Sequence, residues 1–116
     1  MAKTLNKVEL RGRIGHEPRI SSLESGSKVA RFSVATNELL HVKNDEWKEE
    51  TSWHNVVAWT SKYVHNLEQL KKGMFVEIVG KLRYTRYTSK SGEERFITEI
   101  VASKLTIPSD AQDESL

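Results

Sequence analysis

Two tryptophans six positions apart, in the stretch Thr51-Ser52-Trp53-His54-Asn55-Val56-Val57-Ala58-Trp59, are the side chains of this chain best suited to grip a flat ring. In a β-strand successive side chains point to opposite faces, so Trp53, Asn55, Val57 and Trp59 share one face and His54, Val56 and Ala58 the other. An indole face stacks on any nucleobase, worth roughly 1–3 kcal/mol per base, and the same indoles could equally fill a second core. Spacing alone leaves both readings open. A second group, Arg83, Tyr84, Arg86, Tyr87 and Lys90, interleaves cations with aromatics, and Trp47 lies between Lys43 and Lys48. Lys7, Arg11, Arg13, Arg31, Lys62, Lys72 and Lys81 are further candidate phosphate contacts. A polyanion with exposed bases requires this combination of spaced charge and flat surface.

Catalytic chemistry is poorly served by comparison. A site would have to be drawn from His16, Glu17, His41, Asp45, Glu46, His54 and His65, which show no metal-ligand spacing of the His-Glu-x-x-His kind. There is no phosphate-cradling glycine loop and no nucleophile elbow. The chain has no cysteine, which excludes disulfides, thiolate metal sites and thiol catalysis. The expectation is a protein without enzymatic activity, bound cofactor or metal.

The formal net charge is +2, but all 18 Lys and Arg lie in residues 1–107 with 13 of the 16 acids, leaving that body at +5. A basic body suits a polyanionic partner. The 116 residues fit one domain with one modest core. No apolar run approaches a membrane span and the first residues do not read as a signal peptide, so a cytoplasmic location is expected.

The elements that must carry these side chains follow from periodicity. Val8, Leu10 and Ile14 alternate with charged residues, predicting a strand over 7–14, with Gly12 as a bulge or close backbone approach. A polar segment with Ser25-Gly26-Ser27 at its tip leads into Val29–Thr36, and this reads as a hairpin. Residues 37–50 form a long exposed loop or an extended hairpin arm. After the tryptophan strand the period changes: a cap at Thr60 or Ser61 and apolar Val64, Leu67 and Leu70 predict one short helix ending at Lys71-Lys72-Gly73. Val76, Ile78 and Leu82 resume a strand, with Gly80 as a bend, and a turn at Ser89–Gly92 leads to a last strand over 94–107. That strand is expected to set Phe96, Ile100 and Ala102 on one face and Ile97, Val101 and Leu105 on the other, one face for the core and one for a second subunit. Three strands, a helix and two strands is the order of an all-β, five-stranded OB-fold, a Greek-key barrel with one short helix between strands 3 and 4. The domain should span 1–107, and 108–116 should be a short acidic, disordered tail.

Laid out in this order, the sequence resembles the bacterial single-stranded DNA-binding protein family. The matching segments are Asn6-Lys7-Val8-Glu9-Leu10-Arg11-Gly12-Arg13-Ile14-Gly15-His16-Glu17-Pro18, Val34-Ala35-Thr36, Glu50 through Val57, Lys72-Gly73, Val76 with Gly80-Lys81-Leu82-Arg83, Ser91-Gly92, and Thr98-Glu99-Ile100-Val101. The resemblance covers about residues 6–104. It implies an OB-fold that assembles as a homotetramer, a dimer being the alternative, and wraps single-stranded DNA without strong sequence preference in replication, recombination and repair. It turns Trp53, Asn55, Val57 and Trp59 towards the nucleotide strand, adds Tyr87 as a stacking candidate, and places His54 in a subunit interface; the cations around Tyr84 and Trp47 make these further stacking candidates, with local packing an equal reading for Trp47. Leu40 stands where the family commonly has a tryptophan, Trp59 where it has phenylalanine, and Tyr87 where it has tryptophan. The family's acidic tip with a Pro-Phe pair is not matched by Ser109–Leu116, so recruitment of replication and repair proteins through a tail is expected to be weak or absent. The alternative function is an accessory OB module, similar to primosomal replication proteins, that acts mainly through protein partners.

Overall fold

The computed structural model describes residues 2–108, so all but Pro108 of the tail expected over 108–116 lies outside the described residues. Six strands run in the order β1 (Val8–Ile14), β2 (Arg19–Ser22), β3 (Lys28–His41), β4 (Trp47–Trp59), β5 (Phe75–Thr88) and β6 (Glu94–Thr106). Their sheet order is β1-β5-β6-β4-β3-β2, and β1 also pairs with β3. That extra pairing, Arg13 opposite Ala35 and Ile14 opposite Val34, closes five strands into the expected barrel. The sixth strand, β2, is a short flap paired only with β3.

Closure demands that β1 bend sharply between two partners, and Gly12 is where it does so. A Cβ at Gly12 would lie 2.1 Å from the carbonyl oxygen of Ala35, so no larger residue fits without moving backbone. Gly80 plays the same part on β5, where a Cβ would meet the carbonyl oxygen of Val101 at 2.2 Å. Beside it the ladder slips: Val79 faces Lys104 but Gly80 faces Ala102, leaving Ser103 as the extra residue of a bulge. The Ser103 hydroxyl donates to the Val79 carbonyl at 3.0 Å. This slip corrects one expectation. Strict alternation sets Leu105 on the face opposite Ala102, but the bulge reverses parity and Leu105 packs against the core, opposite Ile78.

The core is built from alternate residues of each strand: Ile14, Ala30, Phe32, Val34, Val56, Ala58, Val76, Ile78, Ile100 and Ala102. Burying a side chain such as Val or Ile contributes about 1.5–3 kcal/mol, which is what fixes the register of five strands at once. One end of the barrel is closed by Val64, Leu67 and Leu70, the three residues expected to form a helical stripe. Their burial is as expected, but their helix is not formed. The segment holds only a 3-10 turn over Leu67–Gln69, preceded by Asn66 in the left-handed region at φ 59°. Ser61 and Val64 are bridged to each other in strand fashion, which takes the backbone groups a helix would need. A segment this short cannot recover the cost of helix nucleation, and packing of the three apolar side chains decides its path instead.

The two longest hairpins outgrow the barrel. At ~3.3 Å per residue the 14 residues of β3 and of β5 each extend about 46 Å. Only their first halves carry buried residues; the remainder leaves the barrel as two arms. Residues 37–50, for which the sequence allows a loop or an arm, are an arm: β3 and β4 stay paired out to His41 opposite Trp47, where a 3-10 turn over Lys43–Asp45 closes it. The second arm pairs β5 with β6 out to Thr88 opposite Glu94.

Candidate nucleic-acid interface

Strand β4 has one face in the core and one outside it. Val56 and Ala58 belong to the core, while Trp53 keeps 59% of its surface exposed. The Trp53 ring lies over Gly15, where a Cβ would come 2.1 Å from the indole Cζ3. His16 sits beside it, ring centroids 6.1 Å apart and planes tilted by 57°, with its Nδ1 3.0 Å from the Ser33 hydroxyl. In the sequence Gly15-His16-Glu17-Pro18 reads only as a turn; its second task, seating the indole, depends on a contact 38 positions away. Trp59 is half-buried, and the Arg83 guanidinium covers its ring at 5.2 Å from the centroid.

Strand pairing extends this face across the barrel. Arg31 lies opposite Val57, Ser33 opposite Asn55 and Ala35 opposite Trp53, with Arg13 on the far side of Ala35. On the other flank β6 runs parallel with Val101 beside Val57, and β5 brings Arg83 opposite Glu99 and Thr85 opposite Ile97. Arg31, Asn55, Glu99, Arg83, Thr85 and Tyr87 therefore share the outer surface with the two indoles. Val57 is on this face as alternation requires, but it is fully buried rather than turned to solvent. Arg31 reaches across β4 to pair with Glu99, and its stem passes over the valine.

Glu99 is the residue that sequence reading left without a role. Only 5% of it is exposed, yet it lies on the outer face. Arg31 donates to its Oε2, Arg83 Nη2 donates to Oε1 at 3.0 Å, and the Thr85 hydroxyl donates to Oε1 at 3.2 Å. Burial alone would push the Glu99 carboxyl up; the Arg83 hydrogen bond, the charge of Arg31 and the bonds from Thr85 and Arg31 together outweigh it and hold the group below its ordinary value. The only signal in the sequence is an acid between apolar Ile97, Ile100 and Val101.

The remaining candidates divide by position. Arg13 donates to the Gly73 carbonyl at 3.1 Å and stacks over Phe75 at 5.6 Å, and the neighbouring Lys72 amide approaches Glu17 at 3.5 Å. Both therefore stand at the corner that holds Gly15 and Trp53. Lys7 pairs with Glu9 at 3.0 Å, Arg11 with Glu77 at 3.6 Å and Arg86 with Glu94 at 2.9 Å; these are exposed pairs of little net energy, open to exchange for another anion. Lys62 lies over Tyr63 at 5.4 Å, in the segment that follows Trp59. Lys81 shares the parity of Arg83, and Lys90 is in the turn of the second arm. Tyr84 and Arg86 alternate with Arg83 and Tyr87 and so occupy the opposite face of that arm, where Arg86 covers the exposed ring of Phe96 at 5.4 Å. Tyr84 and Tyr87 are thus not one platform, and Phe96 is an exposed aromatic that the core-face assignment concealed. Trp47, Lys43 and Lys48 are at the end of the first arm, Trp47 packed on His41 at 5.0 Å between ring centroids. His54, facing away from the indoles, has its Nε2 2.9 Å from the Thr36 hydroxyl.

A closed five-stranded Greek-key barrel with indoles, a tyrosine and arginines gathered on one outer face defines an OB-fold protein with a stacking surface. Comparison with known proteins makes this specific. The model of the single-strand binding protein family matches residues 5–108, and the chain belongs to that family. A single-stranded DNA-binding protein of Xylella fastidiosa is 35% identical over 105 residues, covering 90% of this chain and 64% of that protein. A single-stranded DNA-binding protein of Neisseria meningitidis is 36% identical over 102 residues, covering 88% and 59%. The chain thus spans about three fifths of the length of these curated relatives. A solved structure of Plasmodium falciparum SSB in complex with ssDNA superposes with a TM-score of 0.78 at 37% identity, covering 91% of this chain and 95% of that one.

Proposed function

We propose that this protein binds and protects single-stranded DNA without strong sequence preference, during replication, recombination and repair, and that it does so by stacking and charge without catalysis. The observation that carries the reading is Trp53, a large indole held open on its glycine seat in a barrel of the single-strand binding family. Trp53 is the principal platform, and Trp59 and Tyr87 lie on the same outer face. Arg13, Arg31, Lys72, Lys81 and Arg83 flank them, and Lys7, Arg11, Lys62 and Lys90 extend the positive surface. The working form is a homotetramer with His54 and its Thr36 partner near a subunit contact. Among the described residues no helix is long and apolar enough to cross a membrane, and we place the protein in the cytoplasm with the nucleoid.

Titration with an oligo-dT of several tens of nucleotides at low and high salt tests the reading. Tryptophan emission should fall on binding, affinity should decline with salt as counterions are released, and a stacking component should persist. Absence of both quenching and binding at low salt would refute it and favour the accessory module that works through protein partners.

A further inference from the structure

Arg31, Glu99 and Arg83 come from three different strands, β3, β6 and β5, with Arg31 reaching across a fourth, β4, to meet the other two. A carboxylate in the middle of a surface meant for a polyanion is at first sight an error, since it repels phosphate. Its burial and its partners explain it. Glu99 is nearly inaccessible, while 53% of the Arg31 side chain and 40% of the Arg83 side chain remain exposed. The negative charge is inside, and the two positive charges are outside.

A guanidinium carries five N–H donors in a fixed planar fork. Glu99 takes one from each arginine by the bonds described, so most donors on both forks are still unused. On Arg83 one of the five, the Nε–H, is buried without an acceptor and lies out of a phosphate's reach, so the exposed Nη groups are the ones on offer. Long cationic side chains free in water lose rotamer freedom when they grip a ligand, and a cation already fixed avoids that loss. Arg83 is fixed twice, by Glu99 and by the Trp59 ring beneath it. Arg31 is fixed across the strand that carries both indoles.

We propose that Glu99 is a positioning residue for single-stranded DNA: it holds the guanidinium groups of Arg31 and of Arg83, the latter over the Trp59 ring, at a fixed spacing on the face of the Trp53 platform, as a preformed clamp for successive phosphates. The inference rests on the stacking function proposed above. The expected effect of removing the acid has an unusual sign. Replacing Glu99 with an uncharged residue makes the protein more positive, and charge alone would strengthen DNA binding and steepen its salt dependence. Release of the two arginines from the clamp does the opposite.

The experiment is a salt series of oligo-dT titrations on the wild-type chain, Glu99→Gln, Arg31→Met and Arg83→Met, each first checked for folding by circular dichroism at the titration temperature. Glu99→Gln should bind about 5- to 10-fold more weakly near physiological salt, the scale of the net contribution of one hydrogen bond. The slope of log affinity against log salt should become shallower by about 0.7 for each phosphate that is no longer neutralised, and each arginine variant should shift it the same way. Glu99→Gln added to the Arg31→Met/Arg83→Met double variant should no longer weaken binding and should, by charge alone, leave it equal or slightly tighter, an outcome that a general fall in stability would not give. Tighter binding or a steeper slope in Glu99→Gln, or unchanged slopes in both arginine variants, would overturn the clamp. Failure of the wild type itself to bind would instead overturn the underlying function, so the two failures are distinct.

Discussion

The two arms that leave the barrel are alike in construction and opposite in charge. Residues 37–51 of the first carry two lysines against five acids, whereas residues 81–101 of the second carry five cations against three acids, one of them the buried Glu99. Each presents exposed aromatics, Trp47 on the first and Tyr84, Tyr87 and Phe96 on the second. The difference teaches that an exposed ring with a lysine nearby is insufficient to define a site for a polyanion; the sign of the whole surface around it decides whether a phosphate chain follows. By this reasoning the DNA path proposed above would run from Trp53 over the Arg31 and Arg83 clamp to the second arm, with the tip of the first arm off it.

The largest effect expected is at the start of that path. Trp53→Ala should cost about 1–3 kcal/mol of DNA binding, roughly 5- to 150-fold, with little change in thermal stability because the indole is mostly exposed. Trp59→Ala should weaken binding less and stability more, since that ring is half-buried under Arg83, and parallel titrations and melting curves would rank the pair.

A smaller effect separates the arms by pH. The Glu99 carboxyl ionises below its ordinary value of 4.5 in the fold, so its pairing adds stability that is complete above that value and is lost as pH falls through the lowered one. Acid unfolding of the wild type should show this decline, and Glu99→Gln should abolish that part of the acid limb. No equivalent buried acid is found on the first arm among the described residues.

The smallest effects belong to the first arm. Trp47→Ala should alter affinity by less than about twofold if its ring serves only to pack on His41. Converting Glu49 and Glu50 to lysine would break the contrast deliberately: affinity should rise a few-fold at low salt, and the gain should vanish at high salt as screening shortens its reach.

How much of this was legible in the sequence follows from the range of the interactions. Alternation along β4 and β6 grouped the faces, and Gly12 and Gly80 marked the close approaches, because strand periodicity and glycine are local signals. The helix does not form because Val64, Leu67 and Leu70 satisfy a three-residue period and a packed turn equally well. Leu105 changes faces through Ser103, an extra residue visible only once β5 is laid beside β6. The burial of Val57 and the part played by Glu99 both require Arg31, which reaches its acid across 68 positions of sequence. Gly15 likewise needs Trp53 to acquire a meaning. Pairings of this kind leave no periodic trace, which is why the cations are recognisable as a set while their positions relative to one another are not.

Which indole meets the DNA decides between the two arms most directly. In proteins reduced to a single tryptophan by replacing the other two with phenylalanine, oligo-dT should quench most of the emission when Trp53 is the one retained and scarcely change it when Trp47 is. Quenching of Trp47 equal to or greater than that of Trp53 would contradict the path drawn here and move the interface to the acidic arm.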